Sequence, residues 1–132
     1  MKKNLLSVII LFIVQFASAQ ANTTMIDDAP YNYEDVEIRP EFPGGYDEFM
    51  KFIGTNFKLL DYEGNGGTLK VAFIIEIDGT VTNVKVVKDL GEGTGTEAKR
   101  VISISPRWSS GEFRGQKVRV LYELPIKIAS QG

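Results

Sequence analysis

The chain has 132 residues, of which 43% are hydrophobic and 24% are charged, and its formal net charge is −2. That length suits one small domain, because single domains typically have about 100–150 residues. The sequence contains neither cysteine nor histidine. This excludes disulfides, thiol nucleophiles and zinc–thiolate centres, and it removes the commonest general base and the commonest metal ligand. The composition therefore favours a binding module over an enzyme or a metalloprotein, and it predicts no cofactor.

Residues 1–19 have the pattern of a secretory signal peptide. Lys2-Lys3 precedes an apolar stretch over residues 5–17, and Ala17-Ser18-Ala19 is a small-x-small cleavage site. The apolar stretch is shorter than the ~20 residues that a membrane-spanning helix needs. We therefore predict cleavage after Ala19 and export to the periplasm, with secretion or anchoring by an uncleaved N-terminal helix as alternatives. Without the two lysines, the net charge of the remaining chain is −4.

Residues 20–35 are predicted to be a flexible, acidic lead-in. Five acids and no basic residue lie between residues 27 and 37. Their spacing lacks the alternation and the glycine of a calcium-binding loop, so a solvated acidic segment is the simpler interpretation and no metal site is predicted. The acids are Asp27, Asp28, Glu34, Asp35 and Glu37.

Two helices are predicted. The first follows Gly44-Gly45, because acids suited to a helix N-terminus are followed by apolar residues at helical spacing. The second begins at residues 94–97, which have the spacing of a capping box, and it must end near Ser105 because Pro106 follows. The apolar residues of the first helix are Phe49, Phe52, Ile53 and Phe57.

Three strands are predicted. Every odd-numbered residue from 69 to 77 is apolar, Asp78-Gly79 is a hairpin signal, and residues 81–88 return as an antiparallel strand with a bulge. The last strand, residues 117–128, alternates apolar and polar residues. Pro125 within it cannot donate a ladder hydrogen bond, so it indicates an edge strand. An edge strand is either protected against pairing or used for it. Trp108 is predicted to be a core anchor with a solvated indole edge.

An enzyme built from this composition would have to use carboxylates, for example as the acid pair of a glycosidase. The candidates lie on the predicted hairpin and on the loop after it, where solvent exposure is the simpler interpretation. The glycine-rich loop over residues 89–95 could cradle phosphate, but it lacks the Gly-Lys-Ser/Thr ending of a phosphate loop. The four candidates are Glu76, Asp78, Asp89 and Glu92.

The sequence contains several motifs whose identity and order along the chain resemble the C-terminal domain of TonB, in the form common in Bacteroidetes-type bacteria. Here the domain resembles a standalone secreted form. The likeness covers about residues 36–129, between the lead-in and a short tail at 130–132. It implies an α+β, two-layer fold in which a three-stranded antiparallel sheet packs against two helices. The motifs are Pro40–Gly45, Asp78–Val81, Val84–Lys88, Pro106–Trp108 and Gly115–Val118.

The resemblance also implies a function. Domains of this type are energy transducers that pair their last strand with an extended segment of an outer-membrane receptor and transmit force from an inner-membrane motor, so that the receptor admits its substrate. We therefore expect a periplasmic protein-binding module in TonB-dependent transmembrane transport, with neither catalysis nor nucleic-acid binding. The alternatives are an envelope adaptor without an energy role and a homodimer formed through the same strand. The partner-binding residues that the resemblance implies are Lys117, Val118, Arg119, Val120, Leu121, Tyr122, Glu123, Leu124 and Lys127.

Two features qualify this expectation. Residues 20–35 would span only ~55 Å at ~3.5 Å per residue, so we do not expect a complete energy transducer in this chain. From Lys99 onward the chain carries seven basic residues and two acids, Glu112 and Glu123. If the seven basic residues form one patch, that patch favours an acidic partner segment and salt-dependent association.

Overall fold

A computed structural model describes residues 28–130 of the chain. The predicted signal peptide and the first half of the predicted lead-in, residues 20–27, lie outside the described residues. Within that range, no helix is long and apolar enough to cross a membrane. The elements are β1 (Tyr31–Asn32), a 3₁₀ turn (Tyr33–Asp35), α1 (Tyr46–Asn56), β2 (Gly67–Ile75), β3 (Val81–Lys88), α2 (Thr94–Ser103), β4 (Gly111–Phe113), β5 (Gln116–Val118) and β6 (Val120–Ile128).

The main sheet has four strands in the order β1-β6-β2-β3, and β4 and β5 form a separate two-stranded sheet. Strand β2 pairs antiparallel with both β3 and β6, whereas β1 pairs parallel with β6. The predicted α+β class with two helices is confirmed. The prediction of a three-stranded, wholly antiparallel sheet is wrong in detail, because the two-residue strand β1 adds a parallel edge to the three long strands.

Two further predictions need correction. The lead-in was predicted to stay flexible up to residue 35, but Tyr31–Asn32 is a strand and Tyr33–Asp35 is a 3₁₀ turn. The last strand was predicted to run unbroken over residues 117–128, but it is interrupted at Arg119. There the chain changes partner, since Gln116–Val118 pairs with β4 and the segment from Val120 onward pairs with β2.

The core lies between the main sheet and the two helices. Odd-numbered side chains of β2 and even-numbered side chains of β6 contact apolar residues from α1 and α2. This follows from the alternation of side chains along a strand, which gives one buried face. The predicted bulge in the hairpin is confirmed, because the register of β2 on β3 shifts after Lys70 and again after Ala72. Residues of the core include Phe49, Ile53, Leu69, Val71, Phe73, Ile75, Val101, Ile102, Leu124 and Ile126.

Trp108 is the core anchor that the sequence predicts, but the indole edge that was expected to be solvated is covered by the protein. Its side chain is 6% exposed, and the indole Nε1 donates to Ser105 Oγ at 2.9 Å. The ring packs edge-on against Phe49 and lies 5.6 Å from the ring of Tyr122. Aromatic pairs at such separations contribute beyond their buried area. Trp108 therefore joins α1 to the inner face of β6.

Helix α2 begins differently from the predicted capping box. Gly93, with φ = +83°, precedes the helix and supplies no side-chain cap. Instead, Asp89 Oδ1 accepts from Gly91 N at 2.8 Å, Thr94 Oγ1 at 3.0 Å and Gly95 N at 3.2 Å. Glu97, the expected second member of the box, accepts from the backbone N–H of Lys58. The cap thus comes from the loop before the helix, because the hydroxyl of Thr94 is already directed at Asp89.

Candidate docking site on strand β6

Strand β6 has two different edges. On one side it pairs with β2 over its whole length, from Val120 opposite Ile75 to Ile128 opposite Gly67. On the other side, β1 covers only Val120 and Leu121. Within residues 28–130, no strand pairs with the remainder of that side. The predicted edge strand is therefore an edge only over residues 122–128, which we call the open edge.

One hydrogen bond shows which backbone groups face the open edge. Tyr31 N donates to the carbonyl oxygen of Arg119 at 2.9 Å, so the backbone of Arg119 faces away from β2. Backbone groups of successive residues point to opposite sides of a strand. Those of Leu121, Glu123, Pro125 and Lys127 therefore face the same way as those of Arg119.

This alternation of backbone groups between the two sides of β6 explains how a proline fits inside the strand. The missing N–H of Pro125 lies on the open edge, so the ladder with β2 keeps all its donors. The open edge consequently offers two donors, from Glu123 and Lys127, and three carbonyl acceptors, from the same two residues and Pro125. These groups can bond to the backbone of an added strand.

Grooves lie at both ends of the open edge. One, of about 470 Å³, is formed by residues 32–35 and by Leu121, Tyr122 and Glu123. The other, of about 460 Å³, is formed where the loop after α1 meets the end of β6, with Phe57, Leu59 and Lys127 among its residues. An added strand of five to seven residues would reach from one groove to the other, given ~3.3 Å per residue.

Exposed apolar side chains lie close to this surface. Leu60, in the loop that forms the second groove, is 88% exposed. Tyr46, at the start of α1, is 64% exposed and lies with Tyr33 and Tyr122 around a small cavity of about 80 Å³. Exposed apolar groups beside an unpaired strand edge are characteristic of interaction surfaces.

Tyr122 is the aromatic centre of the site. Its ring stacks on Phe73 at 5.2 Å and meets Tyr33 edge-on at 4.7 Å. Burial is the main cause that raises the pKa of Tyr122 to about 12, with smaller contributions from Tyr33 and Tyr46. The phenol therefore stays neutral at physiological pH and serves as a packing surface for the strand.

The predicted partner-binding residues separate into three groups. Lys117 and Val118 lie in β5, away from the open edge, and Arg119 links β5 to β6. Val120 and Leu124 are buried in the interior, and their backbone groups face β2, so neither offers a group to an added strand. Leu121, Tyr122 and Glu123 line the first groove, and Lys127 lines the second.

Sequence reasoning missed the residues that form the ends of the site. Asn32 and Tyr33 belong to the predicted flexible lead-in, and Leu59 and Leu60 to a segment between predicted elements for which no role is predicted. The one available signal was Tyr31-Asn32-Tyr33, two aromatic residues in an otherwise polar segment.

The predicted basic patch is partly neutralised. Arg100 pairs with Glu97 at 2.7 Å, and Arg119 pairs with Glu76 at 2.7 Å. At the open edge, Lys127 is exposed, whereas Glu123 lies 4.0 Å from Lys70 on the neighbouring strand. The charge near the docking site is therefore mixed.

The carboxylates considered for catalysis have structural partners. The pKa of Glu76 is lowered chiefly by the hydrogen bond from Arg119, that of Asp78 by the Thr80 hydroxyl, and that of Asp89 by the Gly91 N–H. A general acid needs the opposite shift. Glu92 is exposed in the loop before α2. Over the described part of the chain, no group of three or more acidic side chains is placed to hold a metal ion.

Comparison with known proteins agrees with this geometry. The family model for the Gram-negative bacterial TonB protein C-terminal matches residues 58–127, which include β2, β3, α2 and most of β6. No curated protein and no solved structure matches the chain. Because the family match spans more than half of the sequence, the chain belongs to the TonB C-terminal domain family, whose members are non-enzymatic protein-binding domains of envelope transport.

Proposed function

We propose that this domain works in the periplasm in TonB-dependent transport, where it adds an extended segment of an outer-membrane receptor to β6. The observation that supports this most directly is the open edge itself. It presents backbone donors and acceptors that no strand within residues 28–130 pairs with, beside two grooves, on the last strand of a domain from a family that binds envelope proteins. Strand addition is an established mode of peptide recognition.

The two parts of the site have different roles. The backbone groups of Glu123, Pro125 and Lys127 bind any extended chain, and each hydrogen bond contributes about 0.5–1.5 kcal/mol. Selectivity comes from the side chains that enter the grooves, next to Tyr33 and Tyr122 at one end and Leu59 at the other. Because the charge at the edge is mixed, we expect shape and apolar contact to decide partner choice more than net charge does.

A pair of substitutions at one position tests this mechanism. Glu123→Pro removes an edge donor and inserts a ring on the open side, whereas the bonds to β2 come from neighbouring residues and are kept. Glu123→Ala removes the same carboxylate but keeps the N–H, so it is the matched control. We expect Glu123→Pro to abolish capture of receptors from an envelope extract and Glu123→Ala to leave capture within a few-fold of the wild type, with both variants folded by circular dichroism.

Cross-linking in cells identifies the partner. A photoreactive amino acid at Lys127 lies on the open edge, and one at Lys85 lies on β3, at the opposite edge of the sheet. Receptor plug segments should be cross-linked from residue 127 and not from residue 85. Equal cross-linking from both positions, or unchanged capture by Glu123→Pro, would show that β6 is not the docking strand. Recovery of other envelope proteins in place of receptors would favour the adaptor without a transport role.

A further inference from the structure

The N-terminal segment over residues 28–35, which we call the strap, covers the beginning of the edge that the proposed partner would use. Its strand Tyr31–Asn32 pairs in parallel with Val120 and Leu121. The strap then leaves the sheet in the 3₁₀ turn, whose residues form one wall of the first groove. The covered and open parts belong to one continuous strand edge.

The strap is held by the β1–β6 pairing and by side-chain contacts at its two ends. Arg119 binds it at two points, because its carbonyl accepts from Tyr31 N at 2.9 Å and its Nη1 donates to the carbonyl of Asp28 at 2.7 Å. Two ring contacts add to these, between Tyr31 and Phe113 at 5.0 Å and between Tyr33 and Tyr122 at 4.7 Å.

The strand within the strap, β1, is also the least buried strand of the main sheet. Both residues of β1 are exposed, and Tyr31 is 37% exposed. Short, exposed edge segments open at lower free energy than the buried core strands. The strap can therefore leave the edge without loss of the core.

The covered part carries hydrogen-bonding groups that the open edge lacks. Because Pro125 has no N–H, the open edge has donors only at Glu123 and Lys127. Release of the strap would add the N–H of Leu121 and the carbonyls of Arg119 and Leu121. The edge available to a partner would then extend over the nine residues from Arg119 to Lys127.

We propose that the strap is an internal competitor, which a long partner segment must displace in order to pair with the full edge of β6. This inference rests on the proposed function, since it concerns the same strand. The apparent affinity for a long segment is the intrinsic affinity reduced by the fraction of molecules in which the strap is released. A segment that spans only Glu123 to Lys127 does not compete with the strap.

A reversible lock tests the proposal. Asn32 and Leu121 are direct partners in the β1–β6 pairing. Neighbouring strands lie about 4.7–4.9 Å apart, within the range that a disulfide spans. The double variant Asn32→Cys/Leu121→Cys contains the only two thiols of the molecule, because the natural chain has no cysteine. Oxidation fixes the strap, reduction releases it, and mass spectrometry confirms each state.

Binding is measured with synthetic peptides that copy the N-terminal plug segments of outer-membrane receptors, in nine-residue and five-residue versions to match the full edge and its open part. We expect the reduced form to bind nine-residue peptides at least about tenfold more tightly than the oxidised form, and five-residue peptides equally in both forms. The single variant Asn32→Cys controls for effects of the reductant. Tyr31→Ala, which removes the contact with Phe113 and leaves β6 unchanged, should also tighten binding of the longer peptides.

The outcomes separate the two proposals. Equal or tighter binding of nine-residue peptides by the oxidised form would overturn the role of the strap and leave docking on β6 intact. If no peptide binds either form and Glu123→Pro leaves receptor capture unchanged, docking on β6 is itself wrong, and the strap has no partner to compete with.

Discussion

Arg119 and Glu76 form a two-point ion pair, with Arg119 Nε 2.7 Å from Glu76 Oε1 and Nη2 3.1 Å from Oε2. The third guanidinium nitrogen donates to the carbonyl of Asp28, and Thr82 Oγ1 donates to Glu76 Oε2 at 2.5 Å. Arg119 also stands where the chain passes from β5 to β6. The pair therefore ties the end of β2, the start of β3 and the strap to the beginning of the docking strand.

This pair makes stability depend on pH in a defined direction. The hydrogen bond from Arg119 is the largest cause that lowers the pKa of Glu76 below its ordinary value of about 4.5. Because the folded-state pKa is the lower one, the stabilisation is fully present above about pH 4.5 and is lost as the pH falls through the folded-state pKa. We expect urea midpoints of the wild type to fall more steeply below pH 4.5 than those of Glu76→Gln. The other carboxylates affect the pH dependence of the wild type and of Glu76→Gln equally, so only Glu76 should make the two curves of urea midpoint against pH differ. Parallel curves would contradict the assignment to Glu76.

The cap of α2 should depend on Asp89, which lies outside the predicted capping box. Asp89→Ala removes the acceptor of three hydrogen bonds, and we expect it to lower the free energy of unfolding by about 1 kcal/mol, as for other N-terminal cap residues. Asp89→Asn keeps an acceptor and should cost less. Thr96→Ala, at an exposed position of the helix, is the control and should change stability by no more than about 0.5 kcal/mol. A larger loss for Thr96→Ala than for Asp89→Ala in urea unfolding would contradict this cap.

Two glycines with similar positive φ angles should respond differently to alanine. Gly79 has φ = +86° and Gly91 has φ = +81°. A Cβ at Gly79 would overlap the carbonyl oxygen of Trp108, whereas nothing lies within 4 Å of one at Gly91. Gly91→Ala should therefore cost only the conformational strain, about 1–2 kcal/mol, and Gly79→Ala about 2–4 kcal/mol, because the hairpin turn must also move away from Trp108. If both variants lost the same free energy of unfolding in urea, the hairpin turn would be able to move away from Trp108 at no energetic cost.

Pro125 should limit both partner binding and self-association. Pro125→Ala restores an N–H on the open edge, and one further hydrogen bond of about 0.5–1.5 kcal/mol corresponds to a gain of about two- to tenfold in affinity for a receptor peptide. The same N–H completes the edge for pairing with a second copy, so we also expect more dimer in sedimentation velocity. Pro106→Ala, at an exposed proline outside the strands, is the control. If Pro125→Ala changed neither property, the backbone of residue 125 would not face the open edge.

Local patterns were enough to predict the long elements of this fold. Each long element packs one face against a single core. Its apolar residues therefore recur at a regular spacing within one short stretch of sequence, as in the alternation from Leu69 to Ile75 and the helical spacing of Phe49 and Ile53. The hairpin turn at Gly79 is also a local property, because it depends on a residue that tolerates positive φ.

The parts that could not be predicted depend on contacts distant in sequence. A two-residue strand has no period, and Tyr31–Asn32 is a strand only because Arg119 and Val120 lie beside it. The break at Arg119 cannot be seen in the sequence for a related reason. The alternation of apolar and polar residues continues from Val118 to Val120, although the strand that pairs with the chain changes from β4 to β2. Pro125 correctly indicated an edge, but only the register with β1 and β2 shows which part of that edge is open.

The position of Trp108 has a practical consequence. It is the single tryptophan of the chain, and its ring lies 5.6 Å from that of Tyr122, on the strand proposed to receive the partner. The indole fluorescence of the unmodified protein therefore comes from one site, beside the docking strand. Any shift of β6 or departure of Tyr33 from Tyr122 alters the surroundings of that single fluorophore, so the emission spectrum can follow docking in real time without a label.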